Sequence, residues 1–481
     1  MAASSTEDIG KTPPRSPEKG PRPGSWGDLF RRDHLAAALV LAGGVALYAM
    51  NLYLTAALMP SIVQEVGGER YYAWVATGFL MAAVIASMLV SRLLVSLGAS
   101  GAYVLGFLVF AAGAALNALS PTMELLLVGR VVQGFGGGLL AGLGYAVIRG
   151  ALPDRLWARA AGLVSAMWGV GTLVGPTLGG LFAQLGAWRW AFGLLAAVAL
   201  VLAALARRAL PGHTRSEADR EAVPVLSLAV LTLAAAAFSV ASTLPQGWGT
   251  LGGVAVGAVL VVAFVVVDRR GAATVLPRLT YLGGNGLKWI YLTVAVLCAG
   301  VMTENFIPLF GQRLGGLNPL VAGFLGAAVS AGWVVSQLFS VGITAERSKT
   351  LAVRCGSFLL PAGLLAYGFL QSADASGPLV ALWAAVLVLA GVGIGVAYPH
   401  LSVAAMRSTD DEREGAKAAA ALSTTQLIAY TVASALAGIL LSLGGSSLVA
   451  SARSMVLGLA VVTVLGTVTT ALALRGSHGQ R

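Results

Sequence analysis

Long apolar runs separated by short polar connections organise this chain. Fourteen runs are long enough to cross a bilayer, with cores near 35–60, 71–95, 101–119, 123–148, 158–184, 188–206, 224–244, 249–267, 287–310, 319–344, 351–370, 378–400, 416–442 and 449–474. About 20 helical residues cross the hydrocarbon, so each run fits one pass. Within lipid a spanning segment must satisfy its own backbone, so each run is expected to be helical. The pattern predicts an all-α polytopic membrane protein with 14 spans.

The polar segments divide the runs six, two, six. Residues 1–33 read as a disordered cytoplasmic tail with Pro13, Pro14, Pro17, Pro21 and Pro23. Residues 34–207 form a first six-helix bundle and 208–223 a charged linker. Residues 224–268 hold an inserted helix pair, rich in Ala, Val and Leu, and 269–286 a second basic linker. Residues 287–475 form the second six-helix bundle and 476–481 a short tail. With the amino terminus in the cytoplasm, the cytoplasmic segments hold 26 of the 31 Lys and Arg residues. Positive charge concentrates on the cytoplasmic side, so both termini are expected there, in a cell membrane.

Composition agrees. The chain is 57% hydrophobic and 11% charged, where soluble chains carry about 25% charged residues. The net charge of +11 is explained by those short loops, so no nucleic-acid partner is expected. Cys298 and Cys355 read as separate thiols and the four histidines show no metal-ligand spacing. The first apolar run is too long for a signal-peptide core, so it reads as a first span. No nucleotide-binding loop or nucleophile–base set is found, so neither ATP-driven export nor an enzyme is expected, and no cofactor.

Three features carry candidate chemistry. In the fifth run Gly171, Gly175 and Gly179 recur every four residues and form a bare stripe for close helix contact; Pro176 leaves the carbonyl of Thr172 without its helical partner. In the fourth run Arg130 lies ~12 Å below the outer surface, a costly depth unless it faces water or a partner. The glycines Gly134, Gly136, Gly137 and Gly138 after it suggest close packing against the first or fifth run. Glu304, the one acid in the middle of a run, lies ~25 Å up the ninth, at a depth like that of Arg130. Pro308 removes the amide that would bond its carbonyl. A carboxyl alternating between a dry cavity and an arginine would take up and release a proton in turn. A wet outer vestibule would instead leave Glu304 an ordinary surface acid.

The stretch Gly171–Gly180 resembles the antiporter signature G-x-x-x-G-P-x-x-G-G of the major facilitator superfamily, matched at Gly171, Gly175, Pro176, Gly179 and Gly180. The stretch Leu127–Gly138 is similar to the superfamily's l-x-x-x-R-x-x-q-G-x-g, with Arg130, Gln133, Gly134 and Gly136 at its fixed positions. The six-two-six layout resembles the 14-span drug:proton antiporters, two six-helix halves with an inserted pair. Glu304 and Arg130 are the candidate proton-coupling residues, because charge inside a spanning run is functional by default. Asn51, Gln133, Trp168, Asn305, Trp333, Gln337, Gln426 and Tyr430 are the polar and aromatic groups that could line a substrate cavity. Tyr398, Pro399 and His400 are assigned no role.

Two departures qualify the resemblance. The family's helix 1 usually carries an acid where Asn51 stands, and asparagine cannot titrate. The loop motif G-x-L-a-D-r-x-G-r appears as Ser91–Gly98, which keeps Leu93 and Gly98, has Val95 for the acid, and carries Arg92. The equivalent loop of the second half keeps Glu346 and Arg347, so the gate is expected to be latched from one half or by other contacts.

The function expected is secondary active export of hydrophobic or amphiphilic compounds, multidrug or lipid-like, driven by proton antiport through alternating access. The partners would be such a substrate, protons and membrane lipids, with the protein a monomer. The alternative is a non-coupled lipid facilitator or a partner-binding scaffold on the same fold, which Asn51 and Val95 favour; an importer is the weaker third reading. The topology is tested with single cysteines. One near Ala375 should react with an impermeant thiol reagent from outside, and one near Ser216 should not; the reverse pattern discards the helix numbering.

Overall fold

A computed structural model describes residues 26–210, 224–244, 247–281, 286–343, 345–406, 408 and 412–476. Residues 1–25 of the expected tail, 211–223 of the first linker, 282–285 of the second and 477–481 lie outside these. The described residues fold almost entirely as α-helix: α1 (Arg32–Val66), α2 (Tyr72–Ser87), α3 (Val90–Leu119), α4 (Met123–Ala146), α5 (Trp157–Gln184), α6 (Trp188–Ala209), α7 (Val225–Thr243) and α8 (Trp248–Arg270). The remainder is α9 (Leu287–Val301), α10 (Ile307–Arg313), α11 (Pro319–Gly326), α12 (Ala328–Ser340), α13 (Glu346–Phe369), α14 (Gly377–Met406), α15 (Glu412–Ser442) and α16 (Leu448–Gly476).

Among the described residues, 11 helices are long and apolar enough to cross a membrane, or 12 if the bent pair α11–α12 is one span. The runs at 71–95 and 224–244 contain the shorter helices α2 and α7. The turn between the second and third runs is made inside α3 at Gly98, with φ 70° and ψ 177°. That backbone region favours glycine, which accounts for Gly98.

Glycine sets the packing, and it repeats. On α4, Gly134 and Gly138 sit where a Cβ would strike the carbonyls of Phe79 and Ala83 on α2. On α14, Gly391 and Gly395 sit the same way on the carbonyls of Val329 and Trp333 on α12. Gly136 meets the Phe110 amide of α3, and Gly393 the Leu360 amide of α13. The two sets share one spacing, so the two halves use one packing scheme. The glycines after Arg130 therefore pack on α2 and α3, with Gly137 also against Tyr48 of α1. Of the two expected neighbours the first run is met, and the nearest atoms to these glycines come from α1, α2 and α3 rather than from the fifth run.

The two halves meet along two seams: α2 against α15, and α5 with α1 against α11. Helix α7 lies against both α2 and α15 and covers the first seam. There the Trp74 indole donates to the Ser239 carbonyl at 2.7 Å. At the end of α8 the buried Asp268 carboxylate accepts the amides of Val275 (2.7 Å) and Leu276 (3.1 Å) and the Tyr281 hydroxyl (2.7 Å). The connection after the pair is thereby tied down, because a buried carboxylate needs this many donors. Burial and the neighbouring carboxylate push the Tyr281 hydroxyl pKa well up.

The packing scheme predicts unequal costs for one substitution. Gly391→Val should cost about 1–3 kcal/mol through overpacking, whereas Gly252→Val, with nothing within 4 Å, should be neutral within about 0.5 kcal/mol. Thermal unfolding of the two purified variants checks this.

Candidate functional site

The ninth run breaks where it carries its acid. Helix α9 ends at Val301, a 3-10 turn spans Met302–Asn305, and α10 starts at Ile307 with Pro308 next. The tenth run breaks opposite, at Ala327, where α11 and α12 meet at 45°. Gly326 fits the crossing: a Cβ there would lie 2.7 Å from Pro308 Cγ. In an unbroken helix the Ser330 amide would bond the carbonyl four residues back. Here it donates to Glu304 Oε1 at 2.5 Å, and the Ser330 hydroxyl donates to Oε2 at 2.9 Å. The carboxylate is 5% exposed and is held at the opened start of α12, where free amides suit an anion. Ser330 Oγ also lies 2.6 Å from the hydroxyl of Tyr53 on α1, in the other half.

Arg130 occupies a different pocket. It is 1% exposed. Its Nε donates to the Val75 carbonyl (3.2 Å), and its Nη1 to Gln133 Oε1 (2.8 Å) and Asn51 Oδ1 (3.2 Å). Asn117 Nδ2 donates to the same Gln133 oxygen at 2.9 Å, and the guanidinium lies 4.3 Å from the Phe79 ring centre. All these partners are neutral. Asn51 thus stands against the arginine as an acceptor. Arg130 and Glu304 are not bonded to each other in this arrangement. Tyr48 stacks on Phe79 and meets the edge of Trp168, which places Trp168 beside the arginine pocket.

The other cavity candidates form a wall in the second half. Trp333 Nε1 donates to Gln337 Oε1 at 2.8 Å, and its ring lies 5.5 Å from that of Tyr398. The Tyr398 hydroxyl donates to Gln426 Oε1 at 3.3 Å, and Gln426 Nε2 to the Tyr430 hydroxyl at 2.6 Å. Tyr398, given no role by sequence, is the middle of this row; its place directly before the α14 proline, Pro399, gave no cue. Asn305 stands apart, its amide facing Met302 Sδ at 3.5 Å while its carbonyl accepts from Tyr72 at 3.4 Å.

The glycine stripe of α5 lies directly on α1. A Cβ on Gly171 would meet Ala49 at 2.5 Å, one on Gly175 the Cβ of Tyr53 at 2.7 Å, and one on Gly179 the Leu54 carbonyl at 2.6 Å. Gly180 faces Leu320 of α11, and the Pro176 carbonyl lies against Gly323. One face of the motif therefore places Tyr53, and the other closes on the second half. At the gate loops, Arg92 is exposed. Glu346 pairs with Lys349 at 2.9 Å on the same helix, and Arg347 is exposed. Glu346 thus finds a cation one turn on, at Lys349 on the same helix face.

Residues 41–416 match the family model of the Major Facilitator Superfamily. The chain is 44% identical over 451 residues, 92% of its length and 95% of the relative's, to a protein of Mycobacterium tuberculosis (strain ATCC 25618 / H37Rv) named a probable multidrug-efflux transporter. It is 24% identical over 403 residues, 81% of its length and 72% of the relative's, to a multidrug transporter of Bacillus subtilis (strain 168). Among solved structures it resembles a bacterial homologue of the human lysosomal transporter Spinster in an inward-facing, unoccupied conformation, with TM-score 0.63 and 14% identity over 95% of this chain and 98% of that one. It also resembles a POT family transporter, with TM-score 0.65 and 14% identity over 92% and 98%. The chain belongs to the major facilitator superfamily. It is a multi-pass membrane protein of a family of transporters, not enzymes.

Close contact at the motif predicts intolerance of bulk. Gly175→Leu should insert in the membrane yet lose transport, because the side chain would lever α1 off α5. Normal transport by that variant would contradict the packing role.

Proposed function

We propose that this protein is a secondary active exporter of hydrophobic or amphiphilic compounds, driven by proton antiport through alternating access. The observation that carries the reading is Glu304. It is buried at a double helix break, accepts two bonds from Ser330, and is linked through Ser330 to the other half. Intramembrane acids of this kind are expensive and mark ion pathways. A carboxyl between two halves can exchange a proton as the halves change the side from which it is reached. The relatives named as multidrug transporters support the substrate class, as do the aromatic rings and amides of the Trp333–Tyr430 row, since such sites combine apolar walls with few polar anchors.

The 14-span plan supports the same scheme. Two six-helix halves turn about the shared site, and the inserted pair α7–α8 rests over one seam. With both termini in the cytoplasm, the contacts Tyr72–Phe306 and Gly180–Leu320 close the outer end, so substrate reaches the site from the cytoplasm. The pocket at Arg130 supports a positioning role, holding α1, α2 and α4 together around the cavity. No nucleic acid or cofactor enters the scheme, and a monomer in lipid suffices for it.

A non-coupled facilitator on the same fold has one observation in its favour: Arg130 is satisfied by neutral groups, with Asn51 in place of an acid. Proteoliposomes under an imposed pH gradient separate the two. Export of a hydrophobic dye should follow the gradient in the wild type. Glu304→Gln, which keeps the shape without titrating, should abolish gradient-driven export while keeping dye counterflow. Full gradient-driven export by Glu304→Gln would move the non-coupled reading to first place.

A further inference from the structure

The hydroxyl of Tyr53, the hydroxyl of Ser330 and the carboxyl of Glu304 form a line that crosses from the first half to the second. Tyr53 stands 2.6 Å from Ser330 Oγ, and Ser330 Oγ 2.9 Å from Glu304 Oε2. At the Tyr53 end, Gly175 of α5 lies against Tyr53, where a Cβ would stand 2.7 Å from the Tyr53 Cβ. One turn before it, the Thr172 hydroxyl donates to the Trp168 carbonyl at 3.0 Å. We infer that Ser330 and Tyr53 are positioning residues for proton coupling, forming a hydrogen-bond relay whose direction is set by the proton on Glu304 and read out on α5. The inference rests on Glu304 as the proton carrier.

Donor counting gives the mechanism. An ionised carboxylate only accepts, so both Ser330 donors turn to Glu304 and Ser330 Oγ can only accept from Tyr53. When a proton binds Oε2, that oxygen becomes a donor to Ser330 Oγ. The Ser330 hydroxyl then turns to Tyr53 Oη. The Tyr53 proton then turns away from Ser330. One proton is taken up at Glu304, no covalent bond elsewhere is broken, and two hydroxyls rotate. In the ionised state Tyr53 donates to the second half; in the protonated state it accepts from it and its proton is free to turn toward α5, the helix carrying Gly171–Gly180. The stripe serves this geometry, since Gly175 against Tyr53 Cβ fixes the register of the phenol.

The surroundings leave the line to these groups. Helices α1, α9, α10, α15 and α16 pack on the Glu304 turn. The titratable groups they turn toward it are Tyr53 of α1 and Tyr430 of α15, with Cys298 of α9 next to Tyr430; Tyr72 of α2 bonds the Asn305 carbonyl. On α1, Glu65 is paired with Arg189 and Trp188 at the outer end, and Arg32 and Asp33 lie at the opposite end. Lys288 begins α9, Arg313 ends α10, and Glu412, Arg413, Glu414 and Lys417 fall in the first turns of α15. On α16, Arg453 bonds the Gln371 carbonyl and Arg475 lies in the last turn.

The test uses the full chain in proteoliposomes, with a hydrophobic dye as probe and spin labels at Leu181 and Val321 across the outer seam. In the wild type the inter-label distance should change between acidic and alkaline pH, and in Glu304→Gln it should not. Tyr53→Phe and Ser330→Ala should lose that response and the gradient-driven export while keeping counterflow, and Ser330→Thr should restore both. Tyr53→Phe keeps the packing on Gly175, so it decides the matter if Ser330→Ala fails to insert. Wild-type coupling and distance response in Tyr53→Phe, with Glu304→Gln uncoupled, overturns the relay alone. Wild-type coupling in Glu304→Gln overturns the carrier assignment and the relay with it.

Discussion

A carboxylate buried inside a membrane protein must find donors, and a continuous helix offers none from its backbone. That constraint accounts for the local architecture around Glu304. The ninth span opens into a 3-10 turn at the acid, and the tenth opens at Ala327 so that one amide is freed. Pro308 and Gly326 let the two breaks meet at close range. Each break would be a cost alone, since it releases backbone groups in an apolar setting. Together they satisfy one another through Ser330 and Glu304. The closed seam at this end depends on the same pair, because Ser330 also bonds Tyr53 of the opposite half.

The second buried charge is handled by another route. Arg130 receives neutral oxygens from three helices and an aromatic face. A cation held in this way needs no carboxylate nearby. Asn51 fits that environment better than its relation to a titrating residue suggests: its oxygen accepts from the guanidinium and from Thr55 at 3.4 Å. The two charges therefore occupy separate pockets, one in each half, joined by packed helices α1 and α5 rather than by direct attraction.

Much of this was legible in the sequence. Apolar run length located the helices, and the spacing of Gly171, Gly175 and Gly179 announced a close helix contact, which falls on α1. Glu304 and Arg130 stood out because charge within an apolar run is rare. What remained hidden was tertiary. Ser330 is a common helix residue until a break three residues earlier, at Ala327, frees its amide. Tyr53 is one aromatic among many until Gly175 fixes its register. Tyr398 gained its place only when α12, α14 and α15 came together. The neighbours of the α4 glycines were likewise beyond a single run, because a glycine states that something approaches and not what. Fourteen runs were read where 11 or 12 helices meet the length and composition of a span, since the break after Ser87 leaves α2 in the second run too short and α7 in the seventh falls short as well.

The central claim is that Glu304 carries the proton exchanged for substrate. Proton release is its most direct measure. Substrate added to purified protein in weakly buffered detergent solution should release on the order of one proton per bound molecule from a carboxyl near its midpoint, and Glu304→Gln should bind the substrate and release none. Equal proton release from Glu304→Gln would contradict the account.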